Sequence, residues 1–198
     1  DIDRSRGLGD VYKRQVEKSP NDMNSFEKYE KVEIAKAGHL ALKMNEDIDV
    51  DLTVTKRSGI GKFNFNNSEY GTLIIGTGIN SSPPESIKEA FVKITSPYSC
   101  EGYTRGGDFC GTESDYKIYF AAEFDRPSKF NGTWKGEKLS NKKSSYGKNS
   151  GAYFTFETNE IGKIDYRIAI SFVSIENAKE NLKNEEKHLT FEDYQKET

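Results

Sequence analysis

Hydrophobic and polar residues alternate with a period of two over much of the chain, which is typical of β-strands with one buried face. The longest such segment is 163–173, reading KIDYRIAISFV. It predicts a strand with these residues facing inward: Ile164, Tyr166, Ile168, Ile170 and Phe172. Residues 47–55 predict a second strand with a single apolar face: Ile48, Val50, Leu52 and Val54.

Six other segments predict strands: residues 32–44, 61–65, 71–79, 91–94, 116–124 and 152–157. We expect 32–44 to be one strand bent at Gly38, because glycine weakens a strand and often marks a bulge. Segments 47–55 and 61–65 predict a hairpin, and 152–157 is expected to pair with 163–173. Within 116–124, Glu123 points away from the layer that holds Ala122 and Phe124.

The pattern changes at Ser174, where a helix is predicted to begin. Serine is a favoured N-cap, and Glu176 suits the positive end of a helix. Ile175, Ala178 and Leu182 then follow at helical spacing. Residues 135–150 are rich in Lys, Ser, Gly and Asn, and predict a solvated loop or a hairpin tip. Roughly eight consecutive, mostly turn-linked strands before one helix predict an all-β fold, an antiparallel β-sandwich.

Composition agrees with this fold class and excludes some functions. Aromatic residues make up 12% of the 198 residues, and aromatic residues favour pleated, half-buried surfaces. The net charge is only −3 and no basic stripe is present, which argues against nucleic acid or an anionic membrane as a partner. No apolar run is long enough to span a bilayer, and no signal-peptide core is present.

The first fifteen residues are set aside from the fold. Residues 6–15, RGLGDVYKRQ, resemble translated sequencing-adapter read-through, and a natural disordered tail is the alternative. Because both ends look cut, the missing signal segment carries no information about localisation. We expect a partial β-sandwich domain at 16–173 and the start of a helical linker at 174–198.

The cysteines and the aspartate-rich strand are weak candidates for chemistry. Cys100 and Cys110, bracketed by glycines, either form a disulfide across a turn or are two free thiols with Cys110 in the core. Asp47, Asp49 and Asp51 spread over about 13 Å of strand and cannot converge on one metal ion. We expect them to form the wet face of a sheet, and predict no metal site.

The sequence singles out no catalytic residue. His39 is predicted to lie on the sheet surface, and His188 on an exposed helix. Glycoside hydrolysis needs two carboxylates across the scissile bond, but nothing selects a pair from Glu101, Asp108, Glu123 and Asp125. Trp134 is a weak candidate for stacking on a sugar, and in its Gly-flanked loop it is as often a hydrophobic plug.

Three blocks of sequence carry a family resemblance. They are residues 106–111 (GGDFCG), residues 116–127 (YKIYFAAEFDRP) followed by GTW at 132–134, and residues 170–178 (ISFVSIENA) completed by Asn181 and Leu182. A weaker fourth block is 52–59 (LTVTKRSG). Their order and spacing resemble the N-terminal β-domain of glycoside hydrolase family 92, the bacterial α-mannosidases, over about residues 25–198. One departure is the AGHL segment at 37–40, where a Pro-Gly-Tyr-Tyr-like stretch is common in the family.

The resemblance implies a supersandwich-like N-terminal domain, joined by a linker helix to a catalytic (α/α)6 barrel. The parent enzyme would be secreted or on the cell surface, and would cleave α-mannosides of glycans with inversion and with calcium. The family's catalytic carboxylates and most of its calcium ligands belong to the barrel. This segment is therefore expected to brace the barrel, form part of the sugar cleft and be inactive alone. The alternative is a stand-alone carbohydrate-binding or adhesion module.

Overall fold

The computed structural model describes residues 30–45, 47–77, 87–107, 114–185 and 190–197. These contain thirteen strands: β1 Lys31–Lys36, β2 His39–Asn45, β3 Ile48–Val54, β4 Ser58–Phe65, β5 Tyr70–Gly76, β6 Ile87–Ser96, β7 Ser99–Gly107, β8 Asp115–Phe124, β9 Phe130–Lys135, β10 Lys138–Ser140, β11 Ser144–Tyr146, β12 Ser150–Glu157 and β13 Lys163–Ser171. They also contain two helices, α1 Ile175–Glu185 and α2 Phe191–Glu197.

The strands form two antiparallel sheets. The large sheet has nine strands in the order β1-β2-β3-β4-β13-β8-β7-β6-β11, and the small sheet has four in the order β10-β9-β12-β5. Aromatic and aliphatic side chains from both sheets meet in one core. Phe124 of the large sheet lies 4.7 Å from Phe154 and 5.0 Å from Phe156 of the small sheet, measured between ring centroids. The all-β sandwich predicted from alternation is confirmed.

The helices cover part of the other side of the large sheet, which we call the outer face. Ala178 and Leu182 of α1 pack with Ala121 of β8 and Ala169 of β13. Phe191 and Tyr194 of α2 pack on Ile60 of β4. The molecule therefore has three layers in the order small sheet, large sheet, helices.

The start of α1 follows the sequence prediction. The Ser174 hydroxyl accepts a hydrogen bond from the backbone N–H of Asn177 at 3.0 Å, as an N-cap does. At the other end, Glu185 binds the β3–β4 turn: its carboxylate accepts hydrogen bonds from the hydroxyls of Thr55 and Ser58 and from Arg57. A single carboxylate thus ties the helix to the sheet at the predicted hairpin.

Two predictions about the strands are wrong, one about the extent of a strand and one about a pairing. Residues 32–44 do not form one bent strand but the hairpin β1–β2, because Gly38 adopts a φ of 73° and reverses the chain. Strands β12 and β13 do not pair with each other. β12 lies between β5 and β9 in the small sheet, whereas β13 lies between β4 and β8 in the large one. The connection after β12 crosses between sheets.

Strand β13 is only partly buried along its predicted inward face. Ile164 is buried, and Tyr166 and Ile168 pack against the core. Ile170 is 37% exposed and Phe172, just beyond the strand, is 68% exposed.

Two further strands, β10 and β11, lie in the segment predicted as a loop or hairpin tip, and β7 covers a stretch where no strand was predicted. None of the helices in the described ranges is long and apolar enough to cross a membrane.

Candidate functional site

The four carboxylates considered for catalysis do not assemble into a described pair. Glu101 on β7 is only 12% exposed and its carboxylate lies 2.5 Å from the Lys179 ammonium of α1. Glu123 is exposed and points to the outer face, as predicted. Asp125 accepts a hydrogen bond from the backbone N–H of Asp165 at 3.0 Å. Asp108 lies outside the described residues. No catalytic role is assigned to any of them.

Asp165 is the half-buried carboxyl beside Asp125. Its pKa is raised above the ordinary value by burial first and by the charge of Asp125 second, and the nearby cation Lys62 opposes that rise. The carboxyl therefore ionises less readily in the folded protein than in the unfolded chain. This difference makes the stability of the fold depend on the ionisation of Asp165.

Trp134 lies in strand β9 rather than in a loop, so the loop interpretation is wrong. Its side chain is 0% exposed, and its indole N–H is buried with no hydrogen-bond partner among the described residues. A ring with no exposed face cannot stack on a sugar at the surface. The hydrophobic-plug interpretation of Trp134 fits this position, and the structure does not support the carbohydrate-contact interpretation.

Cys100 is a buried thiol in the core between the sheets, and burial raises its pKa well above the usual range. Cys110 lies outside the described residues, so the pairing of Cys100 with Cys110 stays a prediction. His188 also lies outside them. His39 on β2 donates its Nε2–H to the Asp51 carboxylate at 2.8 Å and meets the Phe191 ring of α2 edge-on. It is partly covered by α2 and has a packing role.

The three aspartates around β3 bind separate neighbours. Asp49 accepts a hydrogen bond from Asn66 at 3.0 Å, Asp47 from Asn67 at 2.7 Å, and Asp51 contacts His39. Among the described residues, no three His, Cys, Asp or Glu side chains come together as a group able to hold a metal ion.

A polar cleft of about 520 Å³ lies at one end of the sandwich, between the segment after β8 and the segment after β12. Its walls include Arg126, Lys129, Glu157 and Ile161. Arg126 donates hydrogen bonds to the backbone carbonyls of Ile161 and Lys163. Lys129 pairs with Glu157 at 2.7 Å. Arg126, Lys129 and Glu157 therefore already bind each other or the backbone. None of these three charged groups is free to bind a ligand in the cleft.

The outer face carries a row of four aromatic residues across four adjacent strands, which we call the aromatic row: Tyr146 on β11, Phe91 on β6, Tyr103 on β7 and Tyr119 on β8. Each residue lies opposite the next in register, so all four project from the same face. Ring centroids are 5.7 Å apart for Phe91 and Tyr103, and 5.9 Å apart for Tyr103 and Tyr119. The row begins at the sheet edge and ends where Tyr119 packs against the α1 cluster.

A polar row lies on each side of the aromatic row. On one side are Glu89, Arg105 and Lys117, and on the other are Ser144, Lys93 and Glu101, each in register with its neighbour. Arg105 binds Glu89 at 2.9 Å, and the Lys117 ammonium lies 3.5 Å from the Tyr103 ring centroid. The pKa of Tyr103 is raised above its ordinary value, by burial first and by the neighbouring Tyr146 side chain second.

The aromatic row is not visible in the sequence because its members are far apart in the chain. Two of them lie on segments with no predicted strand, since Tyr146 was assigned to a loop and Tyr103 to a glycine-rich stretch. The only sequence feature that could have indicated the row is the tyrosine and phenylalanine content of these segments. Strand register was needed to align the four residues.

A model of the family described as "Glycosyl hydrolase family 92 N-terminal domain" matches residues 7–171. The match starts within the adapter-like segment 6–15 and ends before α1. An alpha-mannosidase of family GH92 from Bacteroides thetaiotaomicron has a similar fold, with a TM-score of 0.69 and 22% identity over 80% of this chain and 22% of that one. A family GH92 inverting mannosidase from Bacteroides thetaiotaomicron VPI-5482 gives a TM-score of 0.67 and 21% identity, over 82% and 21% of the two chains.

The chain thus spans about a fifth of the length of these mannosidase structures. At this level of identity the likeness to the solved structures concerns the fold alone. A comparison with curated protein sequences gives no match.

Proposed function

The chain belongs to the glycosyl hydrolase family 92 N-terminal domain family, and from that membership we propose that it is the non-catalytic part of an exo-α-mannosidase. The observation that carries this proposal is the family match over 7–171, combined with the small share of the mannosidase structures that this chain covers. The substrate class, α-mannosides of glycans, is taken from the α-mannosidase that shares the fold.

The finer properties of the parent enzyme are proposals from the family resemblance. We propose hydrolysis with inversion, in which an acid and a base stand far enough apart for a water molecule to enter. The dependence on calcium is proposed from the same resemblance, with ligands contributed by a catalytic barrel outside this segment. We propose a secreted or cell-surface location for the parent enzyme from the same resemblance.

Exposed apolar side chains in the segment between β13 and α1 support the proposal that this domain braces the catalytic barrel. Ile170, Phe172 and Val173 lie there in succession with only Ser171 between them, and Phe172 and Val173 are mostly exposed. Val54 on β3 is also half exposed, on the same side of the large sheet as Ile168. Contiguous exposed apolar residues of this kind mark interaction surfaces. We propose that the catalytic barrel covers this apolar rim in the parent enzyme.

Two enzyme assays test the proposal. The 198-residue chain should release no mannose from α-mannosides, with or without added Ca²⁺. The complete coding sequence, recovered from the source sample and expressed, should hydrolyse α-mannosides with inversion seen by NMR and should lose activity with a chelator. Turnover by the chain alone would contradict the non-catalytic role, and a complete protein without glycosidase activity would contradict the enzyme assignment.

A stand-alone carbohydrate-binding module is the second candidate function, and the aromatic row is the observation that favours it. The same coding sequence discriminates between the two. A reading frame that continues into a helical domain supports the assignment as part of a mannosidase. A reading frame without such a domain supports the stand-alone binding module.

A further inference from the structure

We propose that the aromatic row on the outer face is a glycan-binding surface. The choice of a glycan as ligand rests in part on the proposed function, whereas the surface itself is argued from its own geometry. The four rings cross four neighbouring strands, which spans about 14 Å at the usual strand spacing. That length suits a short oligosaccharide better than a single sugar.

The row combines aromatic rings with hydrogen-bonding groups on both sides. Aromatic rings present an apolar face to the C–H side of a sugar, while tyrosine adds a hydroxyl that stays wet. The neighbouring polar rows offer carboxylate, guanidinium, ammonium and hydroxyl groups to the hydroxyls of such a ligand. This alternation of apolar and polar strips matches a ligand that is itself apolar on its faces and polar around its rim.

The charges of the polar rows argue against other classes of ligand. Glu89 is paired with Arg105 and with Lys117, so neither sign dominates beside the row. An anionic polymer needs a basic stripe, which is absent from these rows. A stable protein interface is depleted of charged residues at its centre, whereas charged side chains lie directly against these rings. A neutral polyhydroxylated ligand is the class that this surface fits.

The row is held in place before any ligand binds. The Tyr103 ring packs between its neighbours, with centroids 5.7 Å from Phe91 and 5.9 Å from Tyr119. The Lys117 ammonium lies over the Tyr103 ring, and Glu89 holds that ammonium at 3.8 Å. Side chains that are already ordered lose less conformational freedom on binding, so a weak stacking contact yields more affinity.

The test is a titration of the 198-residue chain with an α-mannan oligosaccharide and, separately, with a β-glucan oligosaccharide, followed by calorimetry. Tyr146→Ala removes the most exposed ring of the row, at 54% exposure on a short edge strand. Tyr98→Ala is the matched control, because Tyr98 is 46% exposed in the β6–β7 turn outside the row. Trp134, the single tryptophan, is buried on the small sheet, so unchanged emission shows that each variant is folded.

We expect a glycan to bind, Tyr146→Ala to weaken binding by about tenfold, and Tyr98→Ala to leave it unchanged. Tyr103→Phe should weaken binding less, since the ring remains and only the hydroxyl is lost. No binding of either oligosaccharide, or equal affinity in Tyr146→Ala and the unsubstituted chain, would overturn the proposal. Binding of the β-glucan alone would support the surface and count against the mannoside substrate class. Hydrolysis by the complete enzyme is judged separately from all of these outcomes.

Discussion

Glu185 offers the sharpest test of how the helical layer is attached to the sandwich. Its side chain is 15% exposed, and its carboxylate accepts hydrogen bonds from the Arg57 Nε at 2.9 Å, the Arg57 backbone N–H at 3.2 Å and the Ser58 hydroxyl at 2.9 Å. Thr55 adds a further short hydrogen bond. Elsewhere α1 is held on the sheet by the packing of Ala178 and Leu182, by a hydrogen bond from the Asn181 amide to the Ile170 carbonyl at 2.8 Å, and by the ion pair of Lys179 with Glu101. Loss of the Glu185 carboxylate should still be measurable, because it removes several hydrogen bonds at once.

The expected cost follows from the kind of bond that is lost. A hydrogen bond to a charged group contributes about 1.5–3 kcal/mol, and bonds that share one acceptor are not additive. The Thr55 and Ser58 hydroxyls lie 2.7 Å apart and can still bind each other without Glu185. We therefore expect Glu185→Ala to lower the free energy of unfolding by about 2 kcal/mol, and Glu185→Gln by about half as much. For a chain of this size, 2 kcal/mol corresponds to a fall in Tm of about 4–8 °C.

The pH dependence supplies a second check on the same residue. Burial acts to raise the pKa of Glu185, but the hydrogen bonds from Thr55, Arg57 and Ser58 outweigh it, so the pKa lies below its ordinary value. A depressed carboxyl pKa stabilises the fold above the pKa of the unfolded chain, near 4.3, and that stabilisation is lost as the pH falls through the folded pKa. The difference in free energy of unfolding between the unsubstituted chain and Glu185→Gln should therefore be largest at pH 7 and should approach zero at strongly acidic pH.

Urea denaturation followed by Trp134 emission measures both effects. Glu180→Gln is the control, because Glu180 is an exposed glutamate on the same helix. An unfolding free energy for Glu185→Gln that equals that of the unsubstituted chain at pH 7 would refute the reasoning. So would a loss of the same size in Glu180→Gln, since that would point to helix charge rather than to the contact with the turn.

Two further substitutions test local contacts by the same denaturation assay. Ser174→Ala should cost about 1 kcal/mol, because the N-cap hydroxyl no longer accepts the Asn177 N–H, and Ser174→Asp should retain most of that stability; equal stability of Ser174→Ala and the unsubstituted chain would count against the cap. Asp165→Asn should raise the stability at pH 7, since burial and Asp125 raise the pKa of Asp165 and its charge weakens the fold above the unfolded pKa. The gain should vanish as the pH falls through the unfolded pKa, and a loss of stability at pH 7 would show that Lys62 and Arg167 outweigh the burial of Asp165.

Several features of the fold were predictable because they depend on neighbours in the chain. Side chains of a strand alternate between faces for covalent reasons, so the pattern of 116–124 correctly turned Ala122 and Phe124 inward and Glu123 outward. The helix start at Ser174 was also local, since an N-cap bonds to a group three residues on. These signals are sufficient for the all-β class, many of the strands and the start of helix α1.

Local patterns do not tell whether a given face of a strand is covered. Val54 and Ile170 both lie on the apolar sides of their strands, yet both are exposed, because four strands of the small sheet cannot cover nine strands of the large one. The opposite case is Trp134: its glycine-rich surroundings indicated a loop, but it lies in strand β9, paired with β12, and its side chain is fully buried. Coverage depends on which distant segment packs there.

The sequence alone determined where many of the strands and helix α1 form, which side of those strands is apolar, and the family resemblance that a model of the family now supports. The tertiary structure alone decided which strands are neighbours, and thus that β12 and β13 belong to different sheets. It also decided that Tyr146, Phe91, Tyr103 and Tyr119 form one row. The physical reason is range: side-chain alternation and capping are set within a few residues, whereas strand register and burial arise from contacts between segments far apart in the chain.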